Sequence, residues 1–218
     1  MTLKLIYYAF PRCDASLLDD YLVKFKKELS INIEQFSELE IINGNSEFTN
    51  TYRFIDSLIE PMNTEIDFDS LCDFLTRVRR NEIQLIRDVY PQAYGFFASN
   101  KNIDTNIISQ SLETKTLICL EKSGLKFKEH TGAHGLSGRR YAVTIKLYKN
   151  IVWHEVAHLF GADEHYVKND KYKMKEKCTN KELCVMRYDP GIKLCSFCST
   201  AQEEIRNGVF KPNNILGI

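Results

Sequence analysis

The chain has no run of the roughly 18 apolar residues that a membrane-crossing helix requires, which excludes a protein built on such helices. It has no net charge either. The 29 Lys plus Arg are balanced by 29 Asp plus Glu, so no global field draws it to nucleic acid or an anionic membrane. Internal repeats, low-complexity tracts and Pro/Gly/Ser linkers are all missing, and this points to a single domain, residues 1–218. The first ten residues lack the basic segment, longer apolar core and small-residue cleavage site of a secretory leader. They read as a strand, and a cytoplasmic setting is the expectation.

At 44% hydrophobic residues, the chain has enough apolar material to bury a full core. Residues 3–10 alternate as a strand, and Leu17, Leu18, Tyr21, Leu22, Phe25 and Leu29 recur at helical spacing. Residues 31–42 suit one or two short strands. A small helix over 52–60 ends at Pro61, and a long helix over 68–89 is stopped by Tyr90-Pro91. Strands are predicted at 94–99, 115–121 and 141–147. Two βα units, then strands, then a helix predict an α/β (α+β) fold, a mixed twisted sheet backed by two helices. The upper lobe is residues 1–161, and residues 162–218 form a smaller irregular C-terminal subdomain. The Lys-rich segment 168–177 is interleaved with Asp170 and Glu176 and reads as a solvated loop.

The chemistry is concentrated at His154-Glu155-Val156-Ala157-His158. Residues 148–160 contain no Pro or Gly, and Ile151, Val152, Val156, Leu159 and Phe160 supply an apolar helical face. On a helix, His154 and His158 stand one turn apart on one face and offer two imidazole nitrogens to a single Zn²⁺. Glu155 beside them is the candidate general base. Gly161 ends the helix through a positive φ and turns the chain back toward the metal. One protein ligand is still required, and Glu164 is favoured over His165, with Asp163 a weaker third choice. A carboxylate oxygen binds zinc at about 2.0–2.2 Å, although imidazole is the commoner partner.

His154, Glu155, His158 and Gly161 resemble, in register, the metzincin motif H-E-x-x-H-x-x-G-x-x-[H/D], whereas its third-ligand position holds Glu164, a departure from His or Asp, with His165 one place late. Glu164-His165-Tyr166 is similar to snapalysin, in which an Asp third ligand is followed by His and Tyr. By this resemblance Met186 is the methionine of the turn beneath the metal. Tyr188 resembles the tyrosine of astacin- and serralysin-like enzymes, whose phenol reaches the metal or the developing oxyanion. The family further implies a metal cleft between the lobes and an antiparallel edge strand that receives extended peptide. By position that strand is residues 141–147, with the flexible stretch 131–138 as a rim. His130 and His134 read as ordinary loop histidines.

Of seven cysteines, Cys13, Cys72 and Cys119 lie in apolar surroundings and read as small buried hydrophobes. Cys178, Cys184, Cys195 and Cys198 cluster around Met186, and the C-x-x-C spacing of the last two suits a metal. Four thiolates would close a structural zinc site; one or two disulfides are the competing reading. Archaemetzincins resemble this arrangement, with a Cys-x-Met turn, a terminal C-x-x-C and four cysteines on a second zinc. Their first cysteine directly follows the third catalytic ligand, whereas here Cys178 is displaced by residues 167–177.

The expectation is thus a zinc metallopeptidase, endopeptidase or aminopeptidase, with one catalytic and one structural zinc, Glu155 as base and acid, and a peptide or protein substrate. No nucleic-acid or membrane partner is expected, and a monomer is the default. A gluzincin-type hydrolase and an inactive zinc-binding interaction module built on the cysteines are the alternatives.

Overall fold

A computed structural model describes residues 3–9, 13–44, 65–69, 114–121, 126–128, 135–138, 140–167, 170–179, 184–187 and 196–210. The helix expected over 52–60, all but the first two residues of that over 68–89, and the strand over 94–99 lie outside them, as do Cys72, His130, His134, Tyr188 and Cys195.

Among the described residues the main sheet has five strands in the order β2-β1-β4-β7-β6: Glu40–Asn43, Lys4–Ala9, Thr114–Cys119, Tyr141–Thr144 and Gly135–Ser137. The first four are mutually parallel and β6 runs antiparallel to β7, so the sheet is mixed, as expected. Parallel strands covered on both faces carry continuous apolar runs. Leu5-Ile6-Tyr7-Tyr8-Ala9 of β1 is buried throughout, and so is all of β7. Two corrections follow. Among the described residues the terminal strand beside the helix of His154 and His158 is β6, drawn from the expected rim, while residues 141–144 lie inside the sheet. Within the Lys-rich segment, Asp170–Met174 is a strand, β9, paired antiparallel with β8 (Tyr166–Val167).

Helix α1 (Ala15–Ser30) starts at Asp14, whose carboxylate accepts from Leu17 N at 2.9 Å. It buries Leu18, Leu22, Phe25 and Leu29 at a spacing that keeps one stripe facing inward. A 3₁₀ turn, Glu34–Glu38, follows where a strand was expected, and it buries Phe36. Helix α2 (Lys149–Leu159) carries the two histidines, and α3 (Ser199–Phe210) adds a regular element to a segment expected to be irregular. Short strands β3 (Glu65–Ile66) and β5 (Lys126–Phe127) pair in parallel. Cys119 is buried as expected, but Cys13 is only half-buried, and its thiol meets that of Cys119 at 3.3 Å.

Phe25 is the hub that ties these elements to α2. Its ring meets Trp153 at 6.0 Å, Phe160 at 6.2 Å and Phe197 at 5.6 Å between centroids. Trp153 and Phe197 stack at 5.7 Å, and Trp153 Nε1 donates to Tyr21 O at 2.8 Å. Such aromatic pairs add about 0.5–1.5 kcal/mol each beyond area burial. Phe197 directly precedes Cys198, so the same core that supports α2 also seats the C-terminal cysteine. The apolar cluster continues through Met186 to Ala201 and Ile205 of α3.

Candidate metal centres

Helix α2 ends in a tight turn: Phe160 N bonds Ala157 O at 3.0 Å, Gly161 N bonds His158 O at 3.0 Å, and Ala162 N bonds Ala157 O at 3.1 Å. Gly161 has φ 101°, which favours glycine. The turn brings Ala162 O back to within 2.7 Å of His158 Nδ1, while Val185 O lies 2.9 Å from His154 Nδ1. A carbonyl can only accept, so both Nδ1 atoms carry the hydrogen and both Nε2 atoms are left to bind something else. Those Nε2 atoms are 3.1 Å apart.

Glu164 completes the group, with Oε2 3.2 Å from His154 Nε2 and Oε1 3.3 Å from His158 Nε2. Tyr166 donates its hydroxyl to Oε1 at 2.9 Å. Oε2 is sealed from solvent, and with the His154 hydrogen on Nδ1 the neighbouring Nε2 offers it no donor. Two imidazole nitrogens and a carboxylate converging on one point are lone-pair bearers that require a cation or a shared proton between them. As a proton site the cluster is already polarised. Burial alone would depress the His154 pKa, but the Glu164 and Glu155 carboxylates outweigh it and raise it to about 9. Burial would raise that of Glu164, but His154 and His158 hold it far below the usual carboxylate range. The donor set His154, His158 and Glu164 also fits one tetrahedral Zn²⁺ with an open position.

Glu155 is buried beside the two histidines. Burial raises its pKa, opposed by His154, His158 and a hydrogen bond to Ser137 of β6. The strand passes so close that a Cβ on Gly135 would lie 2.6 Å from Glu155 Cγ and 2.7 Å from Oε1. Glycine here is what lets the sheet edge reach the carboxylate.

Met186 is fully buried in the turn Cys184–Arg187, whose Val185 carbonyl orients His154 and whose Met186 carbonyl accepts from His165 N at 2.9 Å. Val185 N in turn bonds Ser196 O at 2.9 Å, stitching this turn to the C-x-x-C segment.

The two candidates for third ligand part company. Glu164 faces the histidines, whereas His165, adjacent in sequence and 0% exposed, turns its Nδ1 toward Cys198 Sγ at 3.4 Å and Cys184 Sγ at 3.6 Å. Cys178 completes this second group, whose ligand atoms all lie within 4.8 Å of one another. Asp163, the weaker third choice, is exposed and pairs instead with Lys177 at 3.1 Å. On the far side of His165, Nε2 meets Glu204 Oε2 at 3.1 Å. Glu204 is also held by Lys177 and by Asp163 N, and these contacts outweigh burial to set its pKa at about 2. The Cys198 thiol, contacted by Cys184 and His165 and capped by Ala201 N at 3.5 Å, is likewise depressed to about 2.

Glu204, Lys177 and Gly135 were not anticipated. The signal for Glu204 was present in Ala201 and Ile205, four apart after the C-x-x-C, which mark a helix with a buried face. For His165 the signal was its place directly after Glu164, where the archaemetzincin pattern has its first cysteine.

No family model matches the chain, and no curated protein does. Among solved structures, it is similar to archaemetzincin from Methanopyrus kandleri, at 15% identity and TM-score 0.47 over 96% of each chain. A zinc-dependent peptidase from Methanocorpusculum labreanum strain Z is similar at 14% identity and TM-score 0.45, over 92% of this chain and 99% of that one. Among the described residues no helix is long and apolar enough to cross a membrane.

Proposed function

We propose that this chain is a zinc-dependent metallopeptidase. The observation that carries the reading is the convergence of His154 Nε2, His158 Nε2 and the Glu164 carboxylate at 3.1–3.3 Å, with Glu155 buried beside them. A third ligand from the turn directly after α2 supports this over a gluzincin arrangement. Bound there, zinc supplies the Lewis acidity that polarises a scissile carbonyl and brings the pKa of water to about 7.

The chain's own groups supply the remainder. Val185 O and Ala162 O hold the two imidazoles with Nε2 directed inward, and Tyr166 holds Glu164. Glu155 takes a proton from the attacking water and returns it to the leaving amine; its raised pKa brings proton uptake and release nearer neutral pH. Strand β6 is terminal in the sheet among the described residues and touches Glu155 through Gly135 and Ser137, so an extended peptide paired along it passes the base. Tyr188, outside the described residues, is assigned the donor role toward the carbonyl oxygen. Residues 1–218 act as one domain with two lobes, in the cytoplasm, with a second, structural metal at the cysteines.

Glu155→Gln keeps the shape of the site and removes the base. It is expected to retain metal and to lower cleavage of quenched peptides and free-N-terminus substrates by about 10²–10⁴-fold. Undiminished turnover in metal-replete Glu155→Gln rejects the assignment.

A further inference from the structure

We propose that the second metal site has mixed donors, with His165 Nδ1 as one ligand and the thiolates of Cys178, Cys184 and Cys198 as the other three. It does not depend on the hydrolytic reading.

The hydrogen bonding of His165 carries the argument. A carboxylate accepts, so the contact of Nε2 with Glu204 places the ring hydrogen on Nε2 and leaves the Nδ1 lone pair among the sulfurs. Glu204 does not move freely, since Lys177 holds its Oε1 and Asp163 N donates to the same Oε2 that meets His165. His165 N donates to Met186 O at 2.9 Å and His165 O accepts from Lys175 N at 2.9 Å, which fixes the backbone as well. The ring is thus locked in the tautomer and orientation of a metal ligand.

Burial removes the competing role. Cys178, Cys184 and Cys198 are 2%, 0% and 3% exposed and His165 is 0% exposed. A nucleophilic Cys–His pair needs access to substrate, which these lack. Three thiolates and an imidazole in one sealed group are what a closed tetrahedral zinc site uses, and soft sulfur selects zinc or a similar ion over magnesium or calcium. The ligands come from the segment after α2, the turn after β9, the Met186 turn and the residue before α3, so one ion would join four pieces of chain. Because His165 is bonded to Glu164, the same ion would fix the entry of the third ligand into the first site.

The test uses the full chain with Co²⁺ replacing zinc. Thiolate-to-cobalt charge-transfer absorption then scales with the number of bound sulfurs, and total metal is counted by mass spectrometry. His165→Ala is expected to lose one metal together with the charge-transfer band. His165→Cys is expected to restore the metal with a band about one third stronger than wild type, as three sulfurs become four. Two metals retained in His165→Ala, or a His165→Cys band no stronger than wild type, overturns the proposal. His154→Ala is expected to remove the other metal and leave the band; if the wild type lacks that other metal while the band is present, the hydrolase reading fails and this one stands.

Discussion

Replacing Gly208 with Ala sets helix propensity against tertiary packing. Gly208 is exposed and lies in α3, where Ala is favoured over Gly by about 1 kcal/mol. Its Cα, however, backs onto the turn that ends α2. A Cβ there would lie 2.3 Å from Phe160 O, 2.9 Å from Gly161 Cα and 3.0 Å from Phe160 C. All three are backbone atoms, so no side chain can rotate away. Either α3 or the turn must shift by several tenths of an ångström, and such overpacking costs about 1–3 kcal/mol. With a 2.3 Å contact the upper end applies, and subtracting the propensity gain leaves a net loss of about 2 kcal/mol. For a chain of this length that corresponds to a fall of about 4–8 °C in Tm.

Glu204 lies one turn earlier in α3, and so the displacement also draws its carboxylate from His165. Thermal unfolding of metal-loaded Gly208→Ala, beside Asn207→Ala on the same helix, reads the effect. Asn207→Ala lacks the clash and is expected to be neutral or stabilising. Equal stabilisation by both substitutions refutes the packing of α3 against the Phe160–Gly161 turn.

Tyr166→Phe removes the hydroxyl that holds Glu164 Oε1, and affinity at the His154 site is expected to fall by up to about tenfold, measured by competition with a chromophoric chelator. Glu164→Ala is expected to strip the metal from His154 and His158 while sparing the thiolate band; loss of both metals together contradicts the division of Glu164 and His165 between two sites. Phe197→Ala empties a position stacked on Trp153 and is expected to cost about 3–5 kcal/mol in denaturant unfolding. Chelation of both metals is expected to lower Tm, with recovery on adding zinc, because ligands gathered only in the folded chain make metal binding a contribution to stability.

The first site was legible in the sequence because its parts are local. His154 and His158 are joined by helical spacing, and Gly161 and Glu164 follow within one turn of chain, so short-range geometry is enough to assemble them. Helix α1 was legible for the same reason, since its buried stripe repeats at the helical period. The second site was legible as a cluster of cysteines but not in its membership. Whether His165 joins Glu164 or the sulfurs depends on which way one peptide unit faces, and no periodicity records that. Strand β6 is not legible in the sequence because Gly135–Ser137 is only 3 residues long and begins with a glycine, the pattern of a loop.

The sequence by itself determined the kinds of donor available, the helix that pairs two of them with a base, and the mixed sheet behind it. Tertiary structure decided the rest. The Val185 and Ala162 carbonyls set the tautomers of His154 and His158, Glu204 arrives from a helix, 39 residues along the chain, to set that of His165, and Gly208 lets that helix approach. Hydrogen-bond direction and close backbone contact depend on where distant segments meet in space, and they decide which lone pairs converge.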